Sequence, residues 1–138
     1  MPPDFNFSLS FGDFGDQIST FDSTYKRALT VDDSHYPGDT AVKVLFTKEE
    51  MQYIYQTLIK YNYLNIPDTI IVSASVRPYA SSLLAVVVNS KKKTIYSIEN
   101  SPSNGYLDVF DSIQSCILKI AFSKKEIRNL PPDTRHIE

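Results

Sequence analysis

The 138 residues carry 42% hydrophobic and 22% charged side chains, too apolar and too modestly charged for a disordered chain. The length fits one domain, which buries roughly two-thirds of the surface its unfolded chain exposes. A net charge of −2 removes the general electrostatic pull toward nucleic acid, and a single cysteine, Cys116, leaves no intrachain disulfide and no cysteine-based metal cluster.

The chain is therefore read as a single domain over 1–138, with a polar tail at 130–138. No run of about 18 apolar residues is present to cross a membrane. Met1-Pro2-Pro3-Asp4 lacks the charged and apolar stretches of a signal peptide, so export or a lipid anchor would depend on a leader ahead of this start. Acids and bases divide unevenly, nine acids against four bases up to Glu50 and seven against ten from Met51 onward.

Residues 4–11 alternate, with Phe5, Phe7, Leu9 and Phe11 on one side and Asn6, Ser8 and Ser10 on the other, the period of a half-buried strand. Gly12, Asp13, Gly15 and Asp16 form a turn. Asp13-Phe14-Gly15 copies the kinase metal-binding triplet, but no glycine-rich loop or His-Arg-Asp accompanies it. Residues 18–29 read as a second strand with an irregularity at Asp22-Ser23, which a bulge or a break would reconcile. A loop of turn formers follows over 31–39. Its Asp32, Asp33 and His35 lack the glycine turn and terminal glutamate of a calcium loop, so no metal is expected there.

Residues 40–46 are a third strand, with Val42 and Val44 on one face and Ala41, Lys43 and Leu45 on the other. It runs into the clearest element of the chain. Thr47 and Glu50 make a Thr-x-x-Glu capping box, and Met51, Ile54, Tyr55, Leu58 and Tyr61 line one side of a helix that Pro67 brings to a stop. The succession Thr20-Phe21-x-x-Thr24-Tyr25, a loop, a strand, then Thr47-x-Glu49-Glu50-Met51 resembles small uncharacterised bacterial domains, many of them predicted lipoproteins. Ala28 stands where that pattern often has an acid, and Phe46 where it has leucine. The resemblance covers the first half of the chain. It implies a bacterial origin and export, to the cell envelope or beyond it, and supplies no catalytic residue.

Residues 69–76 are either a strand or an extended loop before Arg77-Pro78. The unbroken apolar run 83–88 suits a central strand covered on both faces or one crossing the core, 90–93 a turn, and 94–98 the returning strand. Lys91, Lys92 and Lys93 keep that turn soluble and blunt edge pairing. Residues 107–121 form a second amphipathic helix on Val109, Phe110, Ile113, Cys116, Ile117 and Ile120, which places Cys116 as an inert thiol on the apolar stripe. Ser123-Lys124-Lys125-Glu126 reads as another capping box.

The fold expected from this order is α+β, a mostly antiparallel sheet of about five strands with two main helices packed on one face. The chemistry on offer is sparse. His35 and His136 lie in a loop and in the tail, with no nucleophile, metal partner or phosphate cradle nearby, and no cofactor is expected. The chain does carry nine tyrosines. Tyr53, Tyr63 and Tyr79, with Arg77, stand where the core pattern does not demand them, as interface residues or as closures of a small core. The leading reading is a non-enzymatic interaction domain for a protein or polymer partner, without nucleic acid. The alternatives are a small enzyme whose site converges from loops and an immunity or inhibitor protein that plugs a partner's site.

Overall fold

The computed structural model describes residues 1–11, 16–27, 41–71, 80–99 and 105–129. The alternation at the start becomes β1 (Asn6–Phe11), with its apolar side chains buried on one face. The segment read as one irregular strand is instead two, β2 (Asp16–Ser19) and β3 (Thr24–Lys26), paired antiparallel as a hairpin. The irregularity is a reversal of direction. Ser23 takes the left-handed conformation at φ 57°, and the Asp22 carboxylate accepts the Thr24 hydroxyl at 2.6 Å. The third expected strand shortens to β4 (Ala41–Lys43), and Val44 stays tied to the hairpin by its N–H to the Ser23 carbonyl at 2.8 Å.

Helix α1 (Lys48–Lys60) begins with the capping box the sequence announces. The Glu50 N–H donates to Thr47 Oγ1 at 3.1 Å, and the Thr47 N–H donates to Glu50 Oε1 at 2.8 Å. Thr47→Ala removes one half of this exchange and should cost about 1 kcal/mol of stability in urea melts, as side-chain caps generally do. After α1, left-handed Asn62 and a 3-10 turn (Tyr63–Asn65) lead through extended Ile66 to Pro67.

Strand β5 (Thr69–Ile71) is real but short and runs parallel to β7 (Lys91–Glu99), the strand that separates it from β6 (Ala80–Val88). Among the described residues the sheet therefore has seven strands in the order β4-β3-β2-β1-β6-β7-β5, antiparallel except at that last pairing. This corrects the expected five or so strands. The difference arises because the segment 18–29 holds parts of two strands and because 69–76, open between strand and extended loop in the sequence, contains the three-residue β5.

The apolar run on β6 also differs from expectation. Leu84 and Val86 are buried toward the helices, whereas Leu83 faces away and is 39% exposed. The turn after β6 is only Asn89-Ser90, both at positive φ, which is the two-residue pattern of a type I′ hairpin. The Asp4 carboxylate closes this tip by accepting the N–H of Ser90 at 2.7 Å and of Asn89 at 2.8 Å. Lys91, Lys92 and Lys93 consequently belong to β7 itself, where the Lys93 ammonium meets Asp68 at 2.6 Å ahead of β5.

Helix α2 (Gly105–Phe122) packs beside α1 on the phenylalanine face of the sheet. Tyr55 of α1 sets its ring edge-on to Phe5, and Phe122 of α2 does the same to Phe11. Short α3 (Lys125–Arg128) then turns back against β4. No capping box opens it. The Ser123 hydroxyl donates backward to the Ile120 carbonyl at 2.6 Å, finishing α2, and Lys124 occupies the cap position without a side-chain bond to the α3 backbone. Among the described residues no helix is long and apolar enough to cross a membrane.

Candidate interaction surface on the helical layer

The outer side of the α1–α2 pair holds a groove of about 210 Å³. Tyr53 and Lys60 reach it from α1, Lys119 from α2, and Tyr61 from the residue that ends α1. Tyr53 sits opposite the buried Ile54–Leu58 stripe and is 60% exposed. The Lys60 ammonium lies 5.3 Å from the centre of the Tyr61 ring, within cation–π range. At the floor, the Thr57 hydroxyl and the Cys116 thiol approach to 3.5 Å, so Cys116 is half-buried at the helix seam and not sealed in the core. Among the described residues the lining has two cations and no carboxylate.

Of the other candidate residues, Tyr63 is a core side chain, only 4% exposed and enclosed with Ile66 and Ile70. Burial, and after it the neighbouring Tyr55, pushes its phenol above the ordinary value. Tyr63 therefore closes the core beneath the 3-10 turn and is withheld from any partner. Tyr79 and Arg77 fall outside the described residues, as do Asp32, Asp33, His35 and His136.

A second concavity, absent from the sequence reading, lies around the corner where β4, the start of α1 and the α2–α3 elbow meet. It encloses about 520 Å³ and is lined by Lys43, Leu45, Glu50, Ser123, Lys124, Lys125, Glu126 and Arg128. Its back wall is held by one carboxylate with two duties. Glu50 accepts the Thr47 N–H as part of the cap and also pairs with the Lys124 ammonium, joining residues 74 apart in the chain. The Lys124 ammonium lies 5.5 Å from the centre of the Phe46 ring, which adds a cation–π contact to the same wall. The sequence signals at this cleft are the shared face of Lys43 and Leu45 on the third strand and the capping-box pattern at 123–126, neither of which points to the other.

Burial pushes the Glu50 carboxyl up, but Lys124 and the Thr47 N–H together outweigh that and hold it below the ordinary value. A depressed folded pKa means stability that is fully present above the unfolded pKa and lost as the pH falls through the folded one. Wild-type stability should therefore decline as the pH falls through the ordinary glutamate range and on through the lower pKa of folded Glu50, and Glu50→Gln should make that decline shallower in melts followed by circular dichroism. An unchanged slope would show that Glu50 and Lys124 do not pair in solution.

Comparison of the chain with protein-family models and with curated protein sequences gives no match.

Proposed function

We propose that this chain is a non-enzymatic interaction domain that presents the outer surface of α1 and α2 to a protein partner. The observation that supports it most directly is Tyr53, an exposed ring on a capped helix, flanked by Lys60 and Lys119 in a groove. Tyrosine in such a setting supplies a large amphipathic contact for the loss of only two side-chain torsions, while ordered helices on either side keep it in place. The lysines around it favour a partner with acidic groups at the rim of the contact. The resemblance to bacterial lipoprotein-like domains extends the proposal to a partner met at the cell envelope.

The test begins with cross-linking and affinity capture from the native cells, followed by binding measurements on the enriched protein. Tyr53→Ala should leave the unfolding free energy within about 0.5 kcal/mol of wild type, because it removes an exposed ring. It should weaken the complex by about 1–2 kcal/mol, a five- to thirty-fold rise in Kd. A variant that binds the enriched protein as tightly as wild type would move the interface off this groove.

A further inference from the structure

We infer that the cleft between β4, the start of α1 and the α2–α3 elbow binds an acidic segment of a partner protein, its carboxylates meeting Lys43, Lys125 and Arg128 and an apolar side chain covering Leu45. This deepens the interaction-domain reading, on which it rests, and assigns it a second surface. Three features support it. The cleft has a fixed wall, because Lys124 and Glu50 neutralise each other across it and the Thr47 cap anchors Glu50 in turn. Its remaining cations are uncommitted: Lys43, Lys125 and Arg128 are exposed, and among the described residues none has a carboxylate within ion-pair distance. Leu45 stands in the same cleft at 63% exposure, an apolar contact beside the charges.

The arrangement favours a polypeptide over the other polyanions. Lys125 and Arg128 are three residues apart on α3 and so share one side of its turn, while Lys43 projects from a different element. Charges divided between a helix and a strand match carboxylates spaced along an extended segment better than one compact anion. Nucleic acid is disfavoured by the Glu50 and Glu126 carboxylates in the lining and by the chain's net charge of −2. Leu45 would be idle against a phosphate backbone, whereas a leucine or phenylalanine within an acidic peptide would cover it.

The probe is a fluorescein-labelled peptide of glutamates around a central phenylalanine, titrated into the full chain and followed by anisotropy and by amide shifts of the labelled protein. Saturable binding is expected, with shifts concentrated at 43–45 and 123–128 and with affinity falling as salt is raised. The double variant Lys125→Glu, Arg128→Glu should weaken binding by roughly tenfold or more, since both attractions become repulsions. Both side chains are exposed, and circular dichroism verifies the fold. Leu45→Ser gives an independent second variant, with a smaller loss expected. Tyr53→Ala should bind the peptide as wild type does. Failure of the peptide to bind saturably, or equal binding by the charge-reversed variant, would overturn the inference. So would a thymidine oligonucleotide that binds more tightly, or inorganic phosphate that reproduces the same shifts. Those failures leave the Tyr53 groove untouched, because its test reads a captured partner and a different variant.

Discussion

Leu58→Ala should lower the free energy of unfolding by about 2–5 kcal/mol, the range for removing a fully buried leucine and leaving part of its volume empty. Leu58 has no exposed surface and lies one helical turn after Ile54, which is equally buried, so the two form the spine of α1 against the sheet. The measurement is a urea titration in which the midpoint drops while the slope stays constant. Ile59 provides the control, because it follows Leu58 directly yet faces solvent. Ile59→Ala should change stability by no more than about 0.5 kcal/mol. Near-equality of the two variants would mean that the helix presents a different face to the sheet. Against a total stability of about 5–15 kcal/mol for a domain, the Leu58 loss alone approaches the margin on which folding rests.

Elements with a long period or a reciprocal side-chain signal were legible in the sequence. The alternation of β1, the capping box and stripe of α1, and the apolar side of α2 all appear in the structure close to where their residues place them. What escaped had one of two physical causes. The β2–β3 reversal turns on Ser23 in the left-handed region, and a serine advertises that conformation far less than glycine does. The parallel edge pairing of β5 depends on where the chain goes after α1, which three residues cannot encode. The second capping box shows the converse failure. Ser123-Lys124-Lys125-Glu126 has the right spelling, but α3 starts one residue too late for it: Lys124 takes the cap position, and the Ser123 hydroxyl donates back to the Ile120 carbonyl at the end of α2.

The candidate surfaces divide along the same line. Tyr53 could be picked out because it lies off the apolar stripe of a helix whose phase was secure. Tyr63 takes the core-closing one of its two readings, and helical phase could not choose between them because the 3-10 turn rotates the chain after α1 ends. The cleft draws on residues 43–50 and 123–128, and nothing in one segment reports the other until α3 folds back on β4. A charge pair at that distance, Lys124 with Glu50, is invisible to pattern and evident in space.

Phe7→Ala should cost about 3–5 kcal/mol, the largest loss expected from any substitution in the sheet. Phe7 is fully buried near the start of β1, where it pairs with Val86 of β6, in a strand that also pairs with β2. Its ring meets Phe46 edge-on with centroids 5.7 Å apart and an interplanar angle of 86°, and Phe46 immediately precedes the Thr47 cap. The backbone of the same residue is tied three times to Thr20 after β2: its N–H donates to Thr20 Oγ1 at 2.8 Å, and its carbonyl accepts the Thr20 N–H at 2.9 Å and the Thr20 hydroxyl at 3.1 Å. Truncation leaves those backbone bonds intact, so the loss isolates the ring. A double-mutant cycle with Phe46→Leu separates bulk burial from the edge-on geometry, with a coupling of about 0.5–1.5 kcal/mol expected for the aromatic pair. Zero coupling would mean that Phe46 is held by the cap and the Lys124 ammonium alone. A positive coupling would carry the consequence across to the surface, because Phe46 supports the cap, the cap holds Glu50, and Glu50 fixes Lys124 in the wall of the cleft.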